Sequence, residues 1–319
     1  MASTTRQALL QALSAAEGAY ISGQQLAQQL GVSRAAVHKA AAALTAQGYA
    51  LEAASRRGYR LLGGDPFCAE AVGPYPAPVQ LYDTLESTNR TAKLLALEGA
   101  VHGTLVLAGG QTAGRGRLGR SFTSPAGKGV YCSVVLRPPL PAANAQTATI
   151  GAAVAVCRAV QMLCGLELAI KWVNDLFYRG KKCCGILTEA AADVETGGVD
   201  YLVVGIGLNL LPPEGGWPEE LSEIAASIFT PGEHVGRCRI AAAIADELLA
   251  LCTALPDTSF MAEYRARNLV PGRDVDVIQN GERRPAHALA ITDDGHLLVR
   301  LPGGGQEELS FGEVSIRFQ

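Results

Sequence analysis

Residues 111–120 read QTAGRGRLGR, and this run limits most sharply what the surrounding chain can fold into. Gly114, Gly116 and Gly119 alternate with Arg115, Arg117 and Arg120. Glycines at that density give the backbone a freedom that disfavours helix and strand, and crowded fixed charges repel one another unless an anion joins them. A flexible loop that orders around a phosphate or carboxylate is expected. A solvated or RNA-contacting Gly-Arg loop is the plainer alternative. Gly114 to Gly119 formally fits G-x-G-x-x-G, but dinucleotide binding needs a helix starting on the loop and an acidic residue about 20 positions later. Ser121 to Gly127 cannot begin a helix cleanly because of Pro125 and Gly127, and no Asp or Glu occurs between Gly119 and Glu167. A P-loop fails too, since Gly127-Lys128 is followed by Gly129 and not by Ser or Thr.

The chain has 319 residues, enough for two or three domains with a full core. Its 48% apolar and 18% charged residues are those of a globular protein. No apolar run reads as long enough to span a bilayer and no signal-peptide core follows the first residues, so a cytoplasmic protein without a membrane partner is expected. The eight cysteines lack a C-x-x-C pair and zinc-spaced histidines, which favours reduced, mostly buried thiols. Charge is uneven. Residues 1–62 carry six basic and two acidic side chains, a net +4 that leaves −7 for the rest of a chain of net −3. A basic module on an acidic body points to polyanion binding near the N-terminus.

That module has a legible plan. Leu9, Leu10, Leu13 and Ala16 fall at helical spacing, Ser22 can cap a second helix through Leu30, and Gly31 stops it. Ser33 caps a third helix with Val37, Ala41 and Leu44 as its buried stripe. Helix, short glycine turn and helix match a helix-turn-helix, whose second helix enters the major groove. Ser33, Arg34, Ala35, His38 and Lys39 are the expected DNA-facing residues. Two strands, 49–53 and 58–62, would form a wing whose Arg56 and Arg57 touch phosphate. A three-helix protein-interaction domain uses the same fold without DNA.

Residues 64–78 read as a linker region with one short helix, 67–72. From Val79 strands (79–82, 103–108, 129–136, 169–172, 182–188, 201–208) mix with helices (91–98, 145–164), an α+β domain with a mixed sheet and helices covering one side. From Leu269 short β-rich runs alternate with turns, Asn280-Gly281 being the strongest hairpin signal, so a small SH3-like barrel is expected. The expected domains are 1–63, 64–78 as linker, 79–268 and 269–319.

Several segments together resemble one family. Ser33-Arg34-Ala35-Ala36, Ser87-Thr88-Asn89, Gln111 to Arg120, Ser124 to Gly129, Lys171-Trp172-Val173-Asn174-Asp175, Lys182 to Leu187, Gly205 to Asn209 and Gly312 to Arg317 are similar, in order, to the successive motifs of the bifunctional biotin–protein ligase and biotin-operon repressor. The resemblance spans essentially the whole chain. It implies a winged helix-turn-helix, a ligase domain and a C-terminal SH3-like domain. It also implies activation of biotin by ATP and Mg2+ to biotinyl-5′-AMP, then transfer to a lysine of a biotin carboxyl carrier protein of acetyl-CoA carboxylase or a relative. Operator DNA and a homodimer when adenylate-bound are the further partners it implies.

By the same resemblance, Lys182, Arg115 and Arg117 are catalytic. Ser87, Thr88, Asn89, Gln111 and Gly116 join them around biotin. Arg120, Phe122, Lys171, Asn174, Asp175 and Asn209, with Arg117, lie on the ATP and adenylate side. Asp175 is the candidate for magnesium, and Glu313 and Arg317 are the contributors implied from the C-terminal domain. Two positions depart from the family pattern: Phe122 stands where many relatives carry Trp, and Val173 where Pro is frequent. Two other classes stay open, lipoate–protein ligation on the related fold and a transcription factor that only senses biotin.

Overall fold

The computed structural model describes residues 5–138, 141, 145–192, 197–230, 236–255, 257–279 and 281–316. Asn280 and Arg317, both singled out above, lie outside the described residues. The chain forms two compact units, Met1–Pro74 with Gly232–Arg239, and Tyr75–Pro231 with Ile240–Gln319.

In the first unit, α1 (Thr5–Ala15), α2 (Gly23–Leu30) and α3 (Arg34–Ala46) pack Leu9, Leu13, Leu26, Val37 and Leu44 into one fully buried core. The caps fall where the sequence places them. Ser22 and Gln25 form a capping box on α2, and the Ser33 hydroxyl accepts from the Ala36 amide at 3.1 Å. Ser33, Arg34, Ala35, His38 and Lys39 are all exposed, the last four on the outer face of α3. A hairpin follows, β1 (Tyr49–Ala54) and β2 (Gly58–Gly64), with exposed Arg56 and Arg57 at its turn. The short apolar helix is trimmed to α4 (Ala69–Val72). The Asp65 carboxylate binds Arg237 through both its backbone amide and its guanidinium.

The second unit is built on a seven-stranded sheet. Its strands are β3 (Val79–Tyr82), β4 (Leu105–Ala108), β5 (Gly129–Leu136), β6 (Ala169–Lys171), β7 (Asp175–Tyr178), β8 (Lys181–Ala192) and β9 (Val199–Asn209), in spatial order β3-β4-β5-β9-β8-β7-β6. Only β3 and β4 run parallel, so the sheet is mixed as expected. All eight residues of β5 are buried, which is why that run is apolar throughout rather than alternating.

Helix α5 (Thr88–Leu97) packs Ala92 and Ala96 against Val135, Tyr201 and Val203. Helix α6 (Gln146–Cys164) instead bonds its Thr149 hydroxyl to Thr188, which is in register with Val204. Neighbouring residues of a strand face opposite ways, so the two helices cover opposite faces. The expectation of one-sided cover is corrected: an 8-residue strand buried on both faces needs two covers. Helix α6 also corrects the reading that no apolar run could span a bilayer, since its 19 residues are long and apolar enough by length and composition. Most of it is buried within this unit.

Between residues 209 and 268 the sequence reading placed no element. The structure has α7 (Glu219–Ser222), α8 (Arg237–Ala254) and α9 (Phe260–Arg267) there. The α9 residue Tyr264 is fully buried and donates its hydroxyl to the Val173 carbonyl at 3.0 Å. Replacing Tyr264 by Phe leaves that carbonyl unsatisfied, so a loss of about 1–3 kcal/mol is expected. A lower melting temperature in a calorimetric scan would show it.

The C-terminal residues form a five-stranded antiparallel sheet ordered β13-β12-β11-β10-β14, from β10 (Asp274–Gln279), β11 (Glu282–Ile291), β12 (Leu297–Arg300), β13 (Gln306–Leu309) and β14 (Glu313–Ile316). Its Thr292–His296 turn offers the Gly295 carbonyl to the buried Trp172 indole at 2.9 Å.

Candidate active site

A cavity of about 150 Å³ opens on the α5 face of the large sheet. Its floor is backbone. Gly185 of β8 and Gly207 of β9 are register partners, and Gly205 lies two residues back on the same face. A methyl group at Gly207 would stand 2.4 Å from the Phe122 ring, and one at Gly205 would stand 1.9 Å from Asn89 Oδ1. Glycine is therefore what lets the Phe122 ring and the Asn89 amide lie directly on the strands.

One wall is a buried polar network at the start of α5. Ser87, Thr88 and Asn89 are each at most 4% exposed. The Thr88 amide donates to Gln111 Oε1 at 2.8 Å, and Gln111 Nε2 donates to Ser124 Oγ at 2.8 Å. Asn89 Nδ2 reaches the Leu187 carbonyl at 3.1 Å and Glu189 Oε2 at 2.9 Å, and Ser133 Oγ donates to Asn89 Oδ1 at 2.7 Å. Asn89 thereby fastens the helix to the sheet, while Ser87, Thr88 and Gln111 set polar atoms along the cavity wall. Ser124, quoted above within a motif but given no role, and Ser133 and Glu189, which the sequence analysis does not single out, support this wall. Ser133 and Glu189 lie 44 and 100 residues from Asn89, and nothing local marks them.

The opposite wall is the Gly-Arg loop. It closes on itself: the Gly116 amide donates to the Arg120 carbonyl at 2.6 Å, the Phe122 amide to Gly114 at 2.9 Å, and Arg117–Gly119 make one 3-10 turn. Arg117 donates to Asn174 Oδ1 at 3.0 Å and to the Gly312 carbonyl at 3.2 Å. Arg120 pairs with Glu313 at 2.7 Å. Arg115 lines the same cavity and is exposed. The C-terminal sheet thus contributes Glu313 and Val314 to the lining.

The third side is the β6–β7–β8 edge. Asn174 is tied to Ile186 by two bonds, Nδ2 to its carbonyl at 2.8 Å and the Ile186 amide to the Asn174 carbonyl at 3.0 Å. Lys182 Nζ pairs with Asp175 Oδ1 at 2.6 Å, and the Lys182 backbone is gripped by the Ile224 carbonyl at 2.8 Å and the Ala226 amide at 2.7 Å. Burial lowers the Lys171 pKa, the Lys182 and Arg120 charges add to that, and Asp175 and Glu313 oppose it. Five cationic side chains (Arg115, Arg117, Arg120, Lys171 and Lys182) therefore share one small cavity. Such a site attracts a multiply charged anion.

Of the residues the sequence analysis assigned to biotin and nucleotide, all but one line this cavity. Asn209 does not; it is buried at the end of β9 and its Nδ2 donates to the Ala226 carbonyl at 3.2 Å. The floor glycines were quoted in motifs without being given a role, although Gly205 and Gly207, spaced by two in an apolar run, already mark one bare strand face. Among the described residues no three His, Cys, Asp or Glu side chains cluster as a metal site.

Comparison with known proteins fits this geometry. Residues 5–60 match an HTH domain, and residues 81–209 match the biotin/lipoate A/B protein ligase family. The bifunctional ligase/repressor BirA of Bacillus subtilis (strain 168) is 38% identical over 248 residues, covering 75% of this chain and 76% of that protein. The biotin–[acetyl-CoA-carboxylase] ligase of Mycobacterium tuberculosis is 33% identical over 237 residues, covering 72% and 85%. In fold, the chain is similar to the Aquifex aeolicus biotin protein ligase solved with biotin and ATP, with a TM-score of 0.62 and 24% identity over 76% of this chain and 99% of that one. A basic helix-turn-helix, a mixed sheet carrying a five-cation cavity and a relative of this identity and coverage together place the chain in the BirA family of bifunctional ligase/repressors.

Proposed function

We propose that this chain is an ATP-dependent biotin–protein ligase that also acts as a biotin-responsive transcriptional repressor. The observation that carries the ligase reading is the convergence of Arg115, Arg117, Arg120, Lys171 and Lys182 beside the Thr88–Gln111 polar wall. A neutral cyclic urea needs paired donors and acceptors without charge, which Ser87, Thr88 and Gln111 supply. A carboxylate meeting a polyphosphate needs cations on both. In the first step a biotin carboxylate oxygen attacks the α-phosphorus of ATP, forming the mixed anhydride and releasing pyrophosphate. Arg115, Arg117 and Lys182 offset the approach of the two anions, and Arg120, Lys171 and Asn174 hold the phosphate side. Phe122, seated on Gly207, stacks on the nucleotide. In the second step the acceptor lysine amine attacks the biotinyl carbonyl, forming the amide and expelling AMP. The loop excludes water from an anhydride that would otherwise hydrolyse.

Magnesium belongs to the reaction as a nucleotide complex. Among the described residues no cluster of carboxylates forms a cage for it. Asp175 is the carboxylate placed to meet a metal whose other ligands are phosphate and water.

On the DNA side, Arg34, Ala35, His38 and Lys39 of α3 face the major groove of an operator, and Arg56 and Arg57 touch its backbone. Residues 1–63 are the DNA-binding domain, 64–78 the linker, 79–268 the catalytic domain and 269–319 the C-terminal domain. Adenylate occupancy favours a homodimer and so operator binding, through the ordered loop. The decisive assay is transfer of labelled biotin to a biotin carboxyl carrier domain. Transfer is expected only with ATP and magnesium together. No transfer to a competent acceptor, or adenylate formation with lipoate instead of biotin, would overturn the ligase reading.

A further inference from the structure

Wing residue Arg57 does not extend freely from the hairpin turn. Its guanidinium carbon lies 4.0 Å from the centroid of the Tyr20 ring, and that of Arg60 lies 4.8 Å from the same centroid. Tyr20 stands between α1 and α2, next to a segment that is itself locked to the wing. The Ile21 amide donates to the Tyr59 carbonyl, and the Tyr59 amide to the Ile21 carbonyl, both at 2.9 Å. A Cβ at Gly58 would stand 2.1 Å from the Ile21 carbonyl oxygen, so only glycine lets the wing come this close. The two arginines differ in what surrounds them. Arg60 donates its Nε to Glu52 at 2.7 Å and forms an ion pair with that carboxylate, which also accepts from the Tyr20 hydroxyl. Arg57, exposed at the turn, feels the Glu52 charge but forms an ion pair with no carboxylate among the described residues, and is held by the ring face.

We propose that Tyr20 is a positioning residue for DNA, a platform that presents Arg57 to the phosphate backbone while Glu52 neutralises Arg60. This rests on the helix-turn-helix reading above. The physical reasoning is that an arginine stacked on a ring is fixed before it meets phosphate, so less side-chain freedom is lost on binding. The pair at an exposed site is weak, and its effect on affinity is correspondingly about two- to fivefold. The phosphate contact itself sets the salt dependence: each one lost lowers the slope of log K against log salt by about 0.9.

The test titrates the full-length chain into a fluorescent duplex of arbitrary sequence and follows anisotropy across a salt series. Arg57→Ala should lower the slope by about one contact. Tyr20→Ala should weaken binding two- to fivefold in the wild-type background and have no further effect in Arg57→Ala, while Tyr20→Phe, which keeps the ring, should bind as wild type. Equal weakening by Tyr20→Ala in both backgrounds would show a purely structural role and overturn the proposal, as would undiminished binding. Thermal melts of each variant separate lost fold from lost contact, and the Phe variant stays informative if the Ala variant unfolds. A wild-type chain that ignores the duplex even at about 50 mM salt would instead overturn the DNA-binding reading, and the platform with it.

Discussion

Replacing Lys182 by alanine is expected to slow biotinyl-adenylate formation by roughly 10²–10³-fold, the usual loss when one preorganised group is taken from a developing charge. The fold should survive. Both backbone groups of Lys182 are held by Ile224 and Ala226, independently of the ammonium. Its side-chain partner Asp175 is 22% exposed, so the carboxylate left behind remains partly hydrated and costs little. ATP–pyrophosphate exchange in the presence of biotin reads the step directly. Lys182→Arg should restore little, because a planar fork cannot follow a moving charge as a point ammonium does. The first unit does not contain Lys182, so duplex binding in the absence of biotin and ATP should be unchanged, while the gain that adenylate formation brings should be lost. Exchange at the wild-type rate would remove Lys182 from the chemistry. Loss of ligand-free duplex binding together with exchange would mean that the two activities are not separable in this way.

The largest effect on stability is expected at Gly205. An alanine methyl there would overlap Asn89 Oδ1 at 1.9 Å and crowd Asn89 Cγ at 2.7 Å. The amide has nowhere to go without giving up its bonds to Leu187, Glu189 and Ser133, all in a region where Asn89 is 4% exposed. Steric insertion and orphaned buried groups together cost about 2–4 kcal/mol. In a unit of this size that corresponds to a melting temperature lower by on the order of 5–15 °C. Differential scanning calorimetry checks it. A second substitution, Asn89→Ala, should return part of the loss, because the methyl then has room; residues in direct contact are where additivity fails. A Gly205→Ala chain that melts with the wild type would show that the Asn89 network does not hold α5 to the sheet.

Legibility in the sequence followed the range of the interactions. The caps Ser22 and Ser33 and the Gly31 stop are set within a few residues, and the helix-turn-helix could be read to within a residue or two at most of its boundaries. Strand β3 and strand β5 are likewise local, one preceded by Pro76 and Pro78 and the other itself a long apolar run. Strand β7 is hidden because four residues in Asp175–Tyr178 leave too little pattern, α8 because its alanine-rich run is apolar on most sides, and α9 because eight residues make little more than two turns. The second helical cover was lost for a different reason. An apolar strand signals burial on both faces but not which helix supplies each cover. At the site, the cations were visible as residue types, whereas their neighbours were not. That Arg117 rests on a Gly312 carbonyl 195 positions away is a property of the fold alone. The lower Lys171 pKa has the same origin, since burial and two neighbouring cations act on it only after folding.

The reach of Arg117 to Gly312, and of Arg120 to Glu313, has a consequence for how the protein is made. Contacts this distant in sequence form late, because the entropy of closing so long a loop must be met before they return any stabilisation. A nascent chain that has not yet emitted residue 313 holds its loop arginines without their carboxylate and carbonyl partners. Under the roles proposed above for these arginines, acyl phosphate chemistry waits for that part of the chain, and the order of translation itself keeps partly made chains silent.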